Sequence, residues 1–269
     1  MPVIISSQRN QHIKQIRNLR YRHERENSGL FFIEGIRIVT EAVQLGLEIE
    51  TLVVAPDLLK SQLAREIVQV QQEHDTPCIE VTTEVFSSIS SRDGPQGIGA
   101  VVRQHWEGLE HARLANGQYW VAVDAAQDPG NIGTILRTGD AAGSAGLILL
   151  GNCADPYDAT ALRASTGAIF SQRLVKASFA DFIQWKQQHN YFVVGTSRAA
   201  PRHYRAVTYP FPLVLLMGSE RLGLSSEQQA MCDMMVKIPM VGRSDSLNLS
   251  VATGITLYEI FHQAHAEDR

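Results

Sequence analysis

The sequence predicts an α/β protein in two domains, the second built on a mostly parallel sheet. Three observations carry that expectation. The chain has 269 residues, more than one domain commonly holds and ample for a large core. From Tyr119 onward the runs "YWVAVDAA", "GLILLG", "RLVKA", "YFVVGTS", "LVLLMGS" and "MMVKIP" are continuously apolar and alternate with helix-like or glycine-containing segments, as strands covered on both faces do. Between the halves, "WEGLEHARLANG" at 106–117 has no strand pattern and ends in a turn signal. A linker is placed there, giving an N-terminal domain at 1–105 and a second domain at 118–269.

The first thirty residues read as a basic helix. Arg9, Lys14, Arg17, Arg20, Arg22 and Arg25 stand against Glu24 and Glu26, so this arm carries +4 while the whole chain is −4. A local basic arm binds phosphates even on an acidic protein, although a solvated helix face has the same composition. "GLFFIEG" then reads as a strand, "IRIVTEAVQLG" as an amphipathic helix ended by Gly46, and "IETLVVAP" as a buried strand ended by Pro56. "DLLKSQLAREIVQVQQEH" has helical periodicity, "CIEV" is a brief strand, "TEVFSSIS" a short helix and "GIGAVVRQH" another strand.

Composition excludes several classes. No apolar run approaches the roughly 18 to 20 residues of a membrane span, and the first residues lack a basic segment, apolar core and cleavage site. A cytoplasmic protein is expected. Cys78, Cys153 and Cys232 are far apart and form no C-x-x-C pair, which argues against a disulfide framework and a zinc site. The nine histidines show no metal-ligand spacing, and no metal is expected.

Ligands of an open parallel sheet collect at the carboxyl ends of strands, and three loops there are unusual. In "DAAQDPGNIGTILRTGDAAG", Asp128 and Pro129 open a helix, which leaves Asn131, Gly133 and Arg137 along its first turns without a structural reason. Arg137 reads either as a functional cation or as a side chain paired with Asp140. In "LVLLMGSERLGLS" a buried strand ends in Gly218, where glycine permits close approach. Glu220 follows and could cap the next turn. In "KIPMVGRSDSLNLSVATGITLYE", Ser246 is a candidate N-cap for a helix with Leu247, Val251 and Ile255 as its apolar stripe; Asn248 has no such explanation. G-x-G-x-x-G, the P-loop and G-x-S-x-G are all missing, so common nucleotide cradles and serine hydrolysis lose support.

Together "NIGTILR", "GSERLG" and "IPMVGRSDSLNLSVA", in this order and each after an apolar strand, resemble the motifs of the SpoU (TrmH-like) branch of the SPOUT RNA methyltransferases. The likeness covers residues 124–259. "LFFIEGIRIVTEAVQLGLEIETLVV" is similar to the family's accessory RNA-binding domain of ribosomal L30 type. The resemblance implies a deep C-terminal trefoil knot, against the general rule that chains are unknotted. It also implies a homodimer and S-adenosylmethionine as cofactor, contacted by Gly218, Ile238 and Leu247, with Met240 lining the adenine pocket. Arg137 would carry the chemistry, supported by Asn131, Glu220, Ser246 and Asn248.

The implied reaction is methylation of a ribose 2′-oxygen in RNA, ribosomal RNA before transfer RNA. Arginine, with an ordinary pKa of about 12.5 to 13.8, is a poor general base near neutrality, so Arg137 is expected to act as a cation. RNA gives the basic arm a use through Arg9, Lys14, Arg17, Arg20 and Arg22. Arg92 in "SSRDGPQGIG" and Arg202, His203 and Arg205 in "RAAPRHYRAV" are further candidates. Base-nitrogen methylation by a SPOUT enzyme and a non-catalytic RNA-binding or assembly role are the alternatives.

Overall fold

In the computed structural model, which describes residues 4–266, the long apolar runs become the strands of two sheets. The chain divides into two compact units, Met1–Gln104 with Tyr157–Leu162 and His105–Pro156 with Arg163–Arg269.

The first unit opens with α1 (Gln11–Asn18) and α2 (Arg22–Ser28), followed by β1 (Leu30–Glu34), α3 (Ile36–Gln44), β2 (Ile49–Val54), α4 (Gln62–Glu73), β3 (Cys78–Glu80), α5 (Thr83–Ile89) and β4 (Ile98–Arg103). Its sheet has the order β1-β4-β2-β3. β4 runs antiparallel to β1 and β2, and β2 runs parallel to β3. Ile13, Ile16 and Leu19 pack with Val85, Phe86 and Ile89 over Val53, Val81 and Val101.

The basic stretch is two helices rather than one. Arg25, buried, donates to the carbonyl oxygens of Leu19 at 2.8 Å and Arg20 at 2.9 Å, and so holds the turn between them. Arg17 donates to Gln8 O at 3.0 Å and Ser88 Oγ at 3.1 Å, and Arg20 to Ser88 O at 3.2 Å. Arg22 pairs with Glu26 at 3.0 Å. The arm's cations are therefore used in part to fasten α1 to α5. Arg9 and Lys14 are exposed, with no side-chain bond recorded among the described residues.

The second unit comprises β5 (Tyr119–Asp124), α6 (Pro129–Ala141), β6 (Gly146–Leu150), α7 (Ala159–Ser165), β7 (Arg173–Ala177), α8 (Phe179–His189), β8 (Phe192–Thr196), β9 (Arg202–His203), β10 (Leu213–Met217), α9 (Ser226–Met231), β11 (Met234–Lys237) and α10 (Leu249–Ala264), with α7 reaching into it only by its end. Every pairing in its sheet is parallel, in the order β7-β6-β5-β10-β8-β11-β9. The two-residue β9 was not legible as a strand. Trp120, Ile148, Leu150, Val175, Phe182, Trp185, Val193 and Val214 form the core. Residues 106–117 hold a 3₁₀ turn at Leu109–His111, and Glu107 ties this stretch to β7 through its ion pair with Arg173. β5 leads by α6 to β6 on one side of the sheet, whereas β8, β10 and β11 lie on the other. The reversal falls between β5 and β10, where ligands of such sheets bind.

The last helix begins later than the sequence predicts. Asn248, not Ser246, is its N-cap, which shifts the buried face to Leu249, Thr253, Thr256, Leu257 and Ile260. Leu247 and Val251 are consequently exposed, as is Tyr258.

Candidate active site

The β5–α6 and β10–α9 loops meet at that reversal. Asp128 caps α6 by accepting from Gly130 N at 2.7 Å, and Pro129 occupies the first helical turn, as the sequence predicts. Glu220 does not cap its own following turn. It reaches to the start of α6, accepting from the backbone N–H of Gln127 at 3.1 Å and of Asp128 at 3.3 Å. These are unpaired amides at the positive end of a helix, where a carboxylate is favoured.

Asn131, only 5% exposed, donates from Nδ2 to Glu220 Oε1 at 3.1 Å. Its Oδ1 accepts from Asn248 Nδ2 at 2.9 Å. Asn248 Oδ1 in turn accepts from Ser250 N at 2.9 Å, Val251 N at 3.3 Å and Ser250 Oγ at 2.7 Å. One continuous hydrogen-bonded chain, Glu220–Asn131–Asn248, thus joins the starts of α6 and α10. Its direction is fixed, because an amide oxygen only accepts and an amide nitrogen only donates.

The Asn248 cap is separable from its link to Asn131. Asn248→Ala is expected to lower stability by about 0.5 to 2 kcal/mol, the usual cost of a lost cap, as read in denaturant melts. Asn248→Asp keeps an acceptor for α10 but offers Asn131 no donor. It should retain most of the stability and still lose activity.

Burial pushes the Glu220 carboxyl pKa up, but its own backbone amide, Asn131, Gln127 and Asp128 together outweigh this and hold it below the usual range. A depressed carboxylate stabilises the fold above its unfolded pKa of about 4.3, and that contribution is lost as pH falls through the folded value. Glu220→Gln should therefore melt below the parent near neutral pH. The gap should close on acidification below the ordinary carboxylate range.

Arg137 lies further along α6, exposed between buried Ile135, Leu136 and Gly139. No hydrogen bond or ion pair to it is recorded among the described residues, and Asp140, its suspected partner, instead accepts from Ser171 Oγ at 2.6 Å. The guanidinium is open to a ligand. A Cβ on Gly218 would run into the backbone of Gly223 and Leu224, so glycine is required there by the chain's own loop. That loop is closed by Gly223 N–H donating to Ser219 O at 3.0 Å, with φ of +66° at Gly223.

Ile238 and Met240 are half-buried, and Val241–Asn248 are exposed throughout. Ser246 lies outside the Glu220–Asn131–Asn248 chain and donates to Asp245 at 3.2 Å. Among the cations expected to meet RNA, Arg92 is exposed and approaches Glu34 O at 3.5 Å, Arg202 is exposed on β9, and Arg205 pairs with Glu259 at 3.6 Å. Gln127 and Asp128 were not foreseen as partners of Glu220, because they contribute backbone amides that leave no side-chain signal. Among the described residues no group of three or more His, Cys, Asp or Glu is arranged to hold a metal ion.

Residues 118–258 match the model of the SpoU rRNA Methylase family. The chain belongs to that family. Residues 10–100 of this SpoU-family chain match a second model, the MRM3-like substrate binding domain. The chain is 31% identical over 249 residues to the 23S rRNA (uridine(2479)-2'-O)-methyltransferase of Streptomyces viridochromogenes, covering 90% of this chain and 86% of that protein. It is 28% identical to the 23S rRNA (guanosine(2553)-2'-O)-methyltransferase of Bacillus subtilis, covering 95% and 98%. Among solved structures, the AdoMet-bound rRNA methyltransferase from Sinorhizobium meliloti superposes with a TM-score of 0.88 at 36% identity, covering 98% of both chains. The second unit has the parallel α/β fold of these methyltransferases. No helix among the described residues is long and apolar enough to cross a membrane.

Proposed function

We propose that this chain methylates the 2′-oxygen of a ribose in RNA, using S-adenosylmethionine, with ribosomal RNA as the substrate. The observation that carries the reading is the Glu220–Asn131–Asn248 chain, whose middle residue stands on the helix that also presents Arg137, for which no partner is recorded among the described residues. The names of the 23S rRNA relatives support ribosomal over transfer RNA. The cofactor's chemistry suits the residues at hand. Leu222 and Val241 are exposed apolar side chains, and with Leu247, Ile238 and Met240 they stand on the loops after β10 and β11, as an adenine and a thioether would require. Gly218, Ile238, Met240 and Leu247 are the proposed contacts. When bound, the cofactor supplies a methyl group activated on a sulfonium.

The protein's own part is alignment and charge. Fixing two reacting groups in line recovers roughly 7 to 11 kcal/mol of barrier, and the Glu220–Asn131–Asn248 chain makes the loops rigid enough to do so. Arg137 stays charged, binds the ribose or phosphate oxygen and stabilises the developing alkoxide. Ser246, on the exposed loop, is available to a phosphate oxygen.

Residues 118–269 are the catalytic domain and 1–105 the RNA-binding domain, with 106–117 between them. The match to a substrate-binding model at 10–100 supports this division. The C-terminal segment is threaded as a trefoil knot, in keeping with family membership and with the packing of α10 on both α6 and β10. The active form is a homodimer, for which exposed Leu247, Val251 and Tyr258 offer an apolar face. The protein works in the cytoplasm, beside its RNA.

Transfer of labelled methyl to total RNA from a strain lacking the gene, followed by mapping of alkali-resistant linkages, tests the reading. Label at a ribose is expected. Label on a base with every ribose unmodified overturns it, and no label with intact RNA binding favours a non-catalytic role.

A further inference from the structure

The loop after β8 contains features that the methyl-transfer reading leaves unused. His203 and Tyr204 stack with ring centroids 5.1 Å apart and planes 17° from parallel. Both are half-buried, and the loop that carries them is unusually well fastened for a surface connection. Tyr204 N–H donates to Lys237 O at 3.0 Å, extending the pairing of β9 with β11. Tyr204 O accepts from Tyr209 Oη at 2.7 Å. His203 Nδ1 accepts the backbone N–H of Arg205 at 3.1 Å, which fixes the ring's orientation, and no partner of Nε2 is recorded among the described residues. Gln263 of α10 grips the far end of the loop, accepting from Tyr209 N at 3.0 Å and donating to Val207 O at 3.0 Å.

Cations stand on the same loop and on the neighbouring strand. Arg202 is exposed, with no side-chain partner recorded among the described residues. Arg198 meets Asp245 at 3.5 Å with both side chains mostly in water, a pairing of little strength. Lys237 lies in register with His203 on the neighbouring strand. Arg205 is engaged with Glu259. Arg198 and Asp245 also locate the platform, since Asp245 adjoins Ser246 on the loop that leads to Asn248. A short charged edge strand protects a sheet from unwanted pairing. That accounts for the arginines but not for two stacked rings held by a bonded loop.

We infer that the His203–Tyr204 stack is a platform for an unpaired nucleobase of the RNA, with Arg202 and Arg198 on the adjoining phosphates. The inference rests on the proposed RNA substrate and names how that substrate is held beside the site. Sequence-tolerant recognition of single strands combines a cationic track with aromatic faces on which bases stack. A pre-ordered platform of this kind avoids the ordering cost that a loose loop would carry.

The test is equilibrium binding of a fluorescein-labelled single-stranded RNA of mixed sequence, and of the same backbone made abasic, to the full chain. Tyr204→Leu is expected to weaken binding of the base-bearing RNA by about 5- to 150-fold, the range for one lost stack, and to leave the abasic strand unchanged. Tyr204→Phe should bind as the parent does. Intact S-adenosylmethionine affinity in the same samples reports that the fold is kept; if Tyr204→Leu fails that check, His203→Ala takes its place with the same expectation. Equal loss on both strands, no loss on either, or a Tyr204→Phe variant as weak as Tyr204→Leu overturns the platform. Binding is read without turnover, so a failure of methyl transfer to ribose would count against the proposed activity and leave this result standing.

Discussion

Arg137→Ala is expected to lower kcat by about 10²- to 10³-fold, the loss typical of removing one preorganised group from developing negative charge. Thermal stability and cofactor affinity should stay close to the parent's, because the side chain is exposed and no partner is recorded for it among the described residues. Arg137→Lys separates two roles for the cation. A lysine keeps the charge but not the planar fork that grips two oxygens at once, so it should recover only a small part of the rate. Single-turnover methyl transfer at saturating RNA, with a melt of each variant, checks both. Near-full activity of Arg137→Lys with an unaltered pH profile would dismiss guanidinium recognition.

Asn131→Asp should be as damaging by a different route. Asn131 is buried and is the middle link, giving one hydrogen to Glu220 and taking one from Asn248. An aspartate would set a second carboxylate against Glu220, where like charges repel, and would remove the donor that Glu220 Oε1 uses while still accepting from Asn248 Nδ2. Asn131→Ala removes the repulsion but takes the acceptor from Asn248 Nδ2 and a donor from Glu220; Asn248 is exposed, so water replaces part of the loss and each bond is worth about 0.5 to 1.5 kcal/mol net. Activity of both variants is expected to fall at least as far as that of Asn248→Asp. Only the aspartate variant should regain stability at low pH, when its carboxyl group protonates. Denaturant melts at two pH values distinguish them.

How far the sequence reveals such a site depends on whether a residue's role is local. Strands such as "LVLLMGS" and "YWVAVDAA" were legible because burial on both faces demands continuous apolar character, and Asp128–Pro129 announced the start of α6 because its capping chemistry is local. The α10 cap was misplaced because Ser246 and Asn248 are both good caps, and sequence alone does not say which one the preceding loop presents. That shift by two residues moved Leu247 and Val251 out of the expected buried stripe. Arg25 contributes to the basic arm's charge of +4, but it is spent on the carbonyls of Leu19 and Arg20, a use that no charge pattern reveals. The motifs identified Asn131, Glu220 and Asn248 one by one. Their union did not show, because Glu220 finds its partners 89 to 93 positions earlier in the chain.

The Asn131–Asn248 bond spans 117 positions, and Asn248 caps α10. Synthesis proceeds from the N-terminus, and domains fold as they emerge. Arg137, Glu220 and most of the sheet are therefore outside the translating ribosome before the residues that complete the site. Until Asn248 has emerged, Asn131 lacks its donor and the starts of α6 and α10 stay unjoined.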